Sequence, residues 1–144
     1  MSDPSLPLQD AVEAGLRADA VLATDMGGAV ILFTMSAPFG TPKPYLVIGN
    51  DQIVPDAGAD ACGAADDAYT KVHIWTRDDE GGIEASRRQA KTLAAHVRRI
   101  LTTALTVEGF TVVDWACEDV LHLTDPDGLT AHSVVSNRFH LDPA

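Results

Sequence analysis

Histidines are the residues of this 144-residue chain best suited to bind a metal or transfer a proton. Four of the five lie in segments whose apolar and polar residues alternate as in strands: His73, His122, His132 and His140. The fifth, His96, borders the apolar stripe of a predicted helix. A zinc site needs three or four ligands that converge on one point. If Thr124 pairs with Leu129 across the 125–128 turn, His122 and His132 are neighbours on opposite faces of a hairpin. The sequence therefore predicts solvated or hydrogen-bonded histidines and no metal site.

Asp114 and Glu118 are a carboxylate pair that could be considered as a general acid and base, because they share one face of a predicted strand. On one face of a strand they lie about 13 Å apart, farther than the carboxyl pairs that cleave glycosides. We also find no phosphate-binding glycine motif, no nucleophile elbow and no HExxH. We therefore expect no catalytic residue and no cofactor, and hence a protein that is not an enzyme.

The stretch Asp125-Pro126-Asp127-Gly128 resembles the start of a calcium loop. Such a loop needs a third acidic ligand two positions after Asp127, where this chain has Leu129. Proline presets the first position of a turn and glycine accepts a positive φ. The stretch is therefore interpreted as the turn of a β-hairpin.

The chain has two cysteines, Cys62 and Cys117, and no CxxC motif. The N-terminus shows no secretory signal, so we expect free thiols in a reducing cytoplasm. Cys117 alternates with Val113 and Trp115, which is typical of a small core residue.

Charge is distributed unevenly along the chain. The net charge is −11, which argues against simple binding to a phosphate backbone. Residues 83–105 hold five bases and one acid, a local balance of +4 that leaves −15 for the rest. Such a molecule can attract a copy of itself or an acidic partner, although a solvated helix face explains the bases equally well. The longest apolar run is far shorter than the roughly 20 residues of a membrane span.

Hydrophobic periodicity predicts the elements that position these side chains. We expect a helix over 8–23, which Gly15 can split, and a long helix over 83–105. Strands are predicted over 29–35, 45–48 and 69–76, and a closing hairpin over 112–123 and 129–141, with an acidic surface loop over 50–68. The predicted fold is a single α+β domain over residues 1–144, a mostly antiparallel sheet of about five strands with two helices on one face.

The strand at 69–76 separates two kinds of side chain. Val72 and Ile74 face one way and supply a core face, whereas Tyr69, His73 and Trp75 face the other. Aromatic residues dominate interface energetics, so Trp75 is the best candidate for an anchor in an interface.

Charged residues supply two further candidate patches. The basic patch is one side of the long helix, Arg88, Lys91 and Arg99. The acidic patch is the 50–68 loop, which we expect to be mobile until it meets a partner and which contains Asp56, Asp60, Asp66 and Asp67. A ring needs two different patches that complement one another, and either these acids or Asp78-Asp79-Glu80 can meet the basic patch.

Several segments resemble a family of small tail-completion proteins from tailed phages, prophages and gene transfer agents. The resemblance covers about residues 6–141 and rests on strand and turn motifs: Pro44-Tyr45-Leu46-Val47-Ile48-Gly49, Val72-His73-Ile74-Trp75-Thr76-Arg77 and Asp125-Pro126-Asp127-Gly128-Leu129-Thr130-Ala131-His132. The chain departs from the family pattern over 33–44 and in the acidic loop. The family has no active site to carry over.

This resemblance implies a tail terminator, a six-membered ring that caps the tail tube and joins it to the head connector. The partners would be copies of the chain, the major tail tube protein and a head-side connector or stopper, with DNA only as passing cargo and no membrane. The protein would be assembled in the bacterial cytoplasm and reside at the neck of the particle. Two alternatives stay open: another connector of the neck, or a small cytoplasmic enzyme or ligand-binding domain that uses the histidine-bearing hairpin.

Overall fold

The computed structural model describes residues 3–55 and 65–144. Within these ranges the chain forms three helices and six strands. In order they are α1 (Ser5–Ala18), α2 (Ala20–Asp25), β1 (Leu32–Thr34), β2 (Tyr45–Ile48), β3 (Gln52–Pro55), β4 (Asp66–Arg77), α3 (Gly82–Leu101), β5 (Phe110–Thr124) and β6 (Thr130–Pro143).

The strands form one mixed sheet in the order β1-β2-β4-β6-β5, and β3 pairs with β4 alongside β2. β1 and β2 run parallel, and all other described neighbours are antiparallel. The long strands β4 and β6 pair from Asp66–Leu141 to Arg77–Thr130 and form the centre. The predicted α+β class with a mostly antiparallel sheet is confirmed, with six strands instead of about five and three helices instead of two.

Helices cover one face of this sheet. α3 packs on β4, β5 and β6, and α1 and α2 pack against α3. Alternate residues of β4 are fully buried on this face, as the predicted core face of Val72 and Ile74 requires. They join one hydrophobic core with residues of α1, α3 and β6: Leu8, Val12, Leu16, Leu93, Val97, Leu101, Val135, Phe139 and Leu141. None of the described helices is both long and apolar enough to cross a bilayer.

The first helical segment divides at Asp19 rather than at Gly15. Asp19 has an extended backbone, and its carboxylate accepts a hydrogen bond from the Leu22 N–H at 2.9 Å, which caps α2. Gly15 stays inside α1, where a Cβ atom would lie 3.2 Å from Leu105. Gly15 therefore allows the segment after α3 to pack close to α1. The helical segment is divided instead at Asp19, which caps α2.

The prediction of an irregular 50–68 loop is wrong at both of its ends. Gln52–Pro55 forms β3, which pairs with the start of β4 at Asp66–Tyr69. This pairing extends β4 to Asp66 and makes it three residues longer than predicted at that end. The expected mobility concerns mainly residues 56–64, which lie outside the described ranges, as do Asp56, Asp60 and Cys62.

The hairpin forms as predicted, but its register differs by two residues. Thr124 pairs with Ala131 instead of Leu129. The Asp127 carboxylate accepts hydrogen bonds from the N–H groups of Leu129 and Thr130, which keeps Leu129 in the turn. His122 and His132 still lie on opposite faces, since they pair with Ser133 and Leu123 respectively.

β5 is an edge strand with an irregular ladder. Bulges interrupt its pairing with β6 between Val112 and Asp114 and between Cys117 and Asp119. The other side of β5 forms no ladder with the described residues.

Candidate functional site

The sheet face opposite the helices is a candidate surface, and we call it the open face. Its centre is built by two cross-strand rows, Tyr45–Trp75–His132 and Val47–His73–Val134, because register places these residues side by side on β2, β4 and β6. Leu121 and Leu123 of β5 extend the rows and are 49% and 46% exposed. All described helices pack on the other face, and the four rings of this surface are partly exposed, whereas Val47 and Val134 are buried.

Three rings of the open face form a stack. The His132 ring lies on the Trp75 ring with centroids 3.7 Å apart and an interplanar angle of 9°. His132 Nε2 lies 2.8 Å from His73 Nδ1, so one ring donates a hydrogen bond to the other. Gly49 makes room for this arrangement, because a Cβ atom there would lie 2.5 Å from His73 Nε2. The stack fixes Trp75 while leaving part of its surface exposed.

Both histidines of the stack are held in the neutral form at pH 7. Burial lowers the pKa of His132 to about 4, and repulsion from His73 adds to the effect. Burial also lowers the pKa of His73, with a smaller contribution from Lys71. Two neutral imidazoles can share one proton in a hydrogen bond, whereas two imidazolium ions would repel each other.

A shallow cavity of about 470 Å³ borders the stack. The segment after β1 forms its rim through Met35, and Tyr45, His73, Trp75 and His132 line its floor. Met35 is 61% exposed and Phe39, farther along the same segment, is fully exposed. The open face and this rim therefore present large apolar side chains, as expected of a protein–protein interface.

The structure divides the predicted basic patch. Arg99 makes two 3.0 Å hydrogen bonds to the Asp19 carboxylate, which lowers the pKa of Asp19 to about 2. Arg88 lies 3.4 Å from Glu84 one turn earlier in α3. Lys91 has no ion pair with the described residues. The three bases thus lie on one helix, but Arg99 and Arg88 have ion-pair partners in the fold and Lys91 has none among the described residues.

The predicted acidic patch is also divided. Asp66 and Asp67 belong to β4, and Asp67 accepts a hydrogen bond from His140 Nδ1 at 2.8 Å. Arg138 of β6 lies 3.7 Å from Asp67. The interface role assigned to these acids and to the basic patch stays a prediction.

Arg138 is a residue that sequence reasoning missed. Its guanidinium lies 3.0 Å from Asp114 and 3.3 Å from Glu118, so the carboxylates considered as an acid/base pair converge on one cation. The hydrogen bond from Arg138 lowers the pKa of Asp114, opposite to what a general acid at neutral pH requires. The available signal was that Arg138 is the single base after residue 99.

His122 and Cys117 have structural surroundings rather than a catalytic arrangement. His122 Nδ1 lies 2.7 Å from the Ser133 hydroxyl, on the helix side of the hairpin. Burial raises the pKa of Cys117, which packs against the core. Among residues 3–55 and 65–144, no three histidine, cysteine or acidic side chains come together as a metal site would need.

Comparison with known proteins matches this chain to a family. The model of the family "Tail completion protein gp17" matches residues 10–142. A relative in Bacillus phage SPP1, tail completion protein gp17, is 30% identical over 102 residues, which cover 70% of this chain and 69% of the relative.

Solved structures give the same fold. The structure of bacteriophage SPP1 gp17 is similar with a TM-score of 0.56 and 28% identity, over 94% of this chain and 89% of that one. A chain in the virion of a native gene transfer agent particle matches with a TM-score of 0.81 over 99% of both chains, at 21% identity.

Proposed function

This chain belongs to the family of tail completion protein gp17, and from that membership we propose that it is a tail terminator: a ring that caps the tail tube and joins it to the head connector. The family is one of structural phage proteins, so the chain has a structural role in tail completion and is not an enzyme. The alternative of a small enzyme that uses the histidine-bearing hairpin is thereby set aside.

The observation that carries the proposal is the family match over residues 10–142, which contains the whole sheet except its last residue, and α3. The open face and its rim support it, because a subunit that must join others needs apolar side chains that its own fold leaves exposed, as it does Leu121, Leu123 and Met35. The proposed ring has six copies, with the tail tube protein on one side and the head-side connector or stopper on the other. Its place is the neck of a phage or gene transfer agent particle.

The acidic character of the chain suits a channel for DNA. Duplex DNA passes a ring as cargo, and a lining of like charge keeps the duplex from adhering. The net charge of −11 agrees with this use.

Within the ring we assign the open face around Trp75, Tyr69 and His73 to contacts with another subunit or partner. Trp75→Ala should weaken association by about 2 kcal/mol, roughly 30-fold, because a large aromatic anchor is lost. It should lower the free energy of unfolding by only about 1 kcal/mol, since Trp75 lies outside the main core. Sedimentation velocity and urea denaturation measure the two effects.

Trp115→Ala is the matched control. Trp115 packs against the core and donates a hydrogen bond to the Thr102 carbonyl at 2.6 Å. Its loss should lower the free energy of unfolding by about 3 kcal/mol and change association less than Trp75→Ala does. Equal effects of the two substitutions on association would contradict the assignment of the open face.

The proposed function itself is tested in particles. Without the gene, we expect tails that do not join heads, and the parent gene in trans should restore joined particles. Electron microscopy would show this directly. Joined particles of normal tail length without the protein would overturn the proposal.

A further inference from the structure

The helix layer has opposite charges at its two lateral ends. At one end, α1 lies along β1: Arg17 donates to the Leu32 carbonyl at 3.2 Å, and Thr34 donates to Glu13 at 3.1 Å. At the other end, α3 lies against β5, where Arg87 donates to the Thr124 hydroxyl at 2.8 Å. Because β1 and β5 are the opposite edges of the sheet, these two ends face away from each other.

A basic groove runs between α3 and β5. It encloses about 350 Å³, with Ala94, Ala95 and Val120 as its apolar lining and Lys91 and Arg98 at its rim. Both rim side chains are exposed, and neither forms an ion pair with the described residues.

The groove carries a positive field over its length. His122 lines it, and after burial the charges of Lys91 and Arg87 lower the pKa of His122. The nearby carboxylates Asp114 and Glu118 are held by Arg138 on the open face. Glu84, which lines an adjoining cavity with Lys91, lies 3.4 Å from Arg88. The groove is therefore a basic site on an acidic molecule.

The outer face of α1 has the complementary character. Asp10 is exposed and Glu13 partly exposed, and Arg17 is the one base of the helix. Leu6, one turn before Asp10, is 63% exposed. An apolar side chain followed by two acids along the helix matches a groove with an apolar lining and two bases at the rim.

We propose that the basic groove of one copy receives the outer face of α1 of the next copy, with Lys91 and Arg98 facing Asp10 and Glu13. The contact is head-to-tail, since the two surfaces lie at opposite edges of the sheet, and such contacts close into a ring when the rotation between copies closes. This inference rests on the proposed function for its ring. It also refines the basic patch, since Arg99 is occupied by Asp19 and Arg88 lies outside the groove.

A charge-exchange experiment tests the contact. The groove variant carries Lys91→Glu and Arg98→Glu, and the α1 variant carries Asp10→Lys and Glu13→Lys. Each alone should associate about tenfold more weakly than the parent at about 50 mM salt, because like charges face each other, and differ less at about 0.5 M salt. An equimolar mixture should recover association to within about threefold, because every contact in an alternating assembly then joins opposite charges.

Arg88→Glu is the matched control for Lys91→Glu: the two change the net charge equally on the same helix. Arg88→Glu should leave association within about twofold of the parent, and Lys91→Glu should not. Circular dichroism checks that every variant is folded. Sedimentation velocity measures association.

The results separate this inference from the proposed function. A groove variant that associates like the parent, a mixture that does not recover, or a parent that stays monomeric overturns the groove contact. Head–tail joining in particles decides the proposed function, and it can succeed after any of these results. Association that is weak in each variant and recovers in their mixture, while Arg88→Glu associates like the parent, establishes the contact.

Discussion

His132 shows how the environment of one side chain sets a property of the fold. Its pKa in the folded chain is about 4, below the ordinary value of 6.5, so between these pH values the unfolded chain binds more protons. The contribution of His132 to stability is therefore complete above about pH 6.5 and is lost as the pH falls toward 4. The shift at His73 has the same direction.

We expect the free energy of unfolding to be about 1 kcal/mol lower at pH 5 than at pH 7.5, a value reduced for partial solvation. His132→Phe keeps a ring on Trp75 but cannot be protonated, so its stability should change less over this range. Urea denaturation at the two pH values measures the effect. An equally steep pH dependence in His132→Phe would assign it to other groups.

Asn137 is a buried side chain whose amide oxygen and nitrogen have no hydrogen-bond partner among the described residues. Burial of an unpaired polar group costs about 1–3 kcal/mol. We expect Asn137→Leu, which is similar in shape, to raise the free energy of unfolding by about 1 kcal/mol.

Ser133→Ala gives the opposite case on the same strand. The Ser133 hydroxyl lies 2.7 Å from His122, so its removal should lower the free energy of unfolding by about 1 kcal/mol. Thermal unfolding of both variants compares them. A lower midpoint for Asn137→Leu would show that the amide stabilises the fold.

At the scale of elements, Asp19 joins the small helices to α3. It caps α2 through Leu22 and pairs with Arg99, 80 residues away along the chain. Asp19→Ala removes both interactions and should lower the free energy of unfolding by about 2 kcal/mol. Asp19→Asn keeps a capping oxygen and should cost about half as much. Urea denaturation distinguishes them, and equal losses would assign the whole effect to the ion pair.

Elements with a clear period could be predicted from sequence, and those that depend on distant pairing could not. The apolar stripe of α3 and the alternation of β4 and the hairpin are local patterns. β3 is four residues long and alternates weakly, so its pairing with β4 specifies it. The stack on Trp75 depends on the pairing of β4 with β6, which brings His132 beside it from 57 residues away. The register of the β5–β6 hairpin also differed from the prediction, because the Asp127 carboxylate keeps Leu129 in the turn.

The same distinction applies to the candidate site. The alternation of Val72 and Ile74 with His73 and Trp75 was sufficient to predict which side of β4 stays uncovered. The charged patches were harder to predict, because the sequence does not show which basic side chains already form ion pairs within the fold. Arg99 and Arg138 have partners that only the tertiary structure brings together.

At the scale of the whole molecule, acidity determines how the chain meets DNA. With a net charge of −11, we expect no retardation of duplex DNA at about 0.15 M salt, because few phosphate contacts can form. A gel-shift assay of parent and groove variant measures this. Retardation by the parent that disappears in the groove variant would mean that Lys91 and Arg98 bind phosphate.

The bulges of β5 affect whether two copies of the chain can pair along this edge of the sheet. A straight edge strand of this length has unpaired backbone groups that could pair with the same strand of another copy. Repeated pairing of this kind would build a filament. The two bulges of β5 bend this edge and interrupt the regular spacing of its amide groups. We therefore expect that copies do not join through backbone pairing along β5, so any contact between them depends on side chains of matching shape and charge.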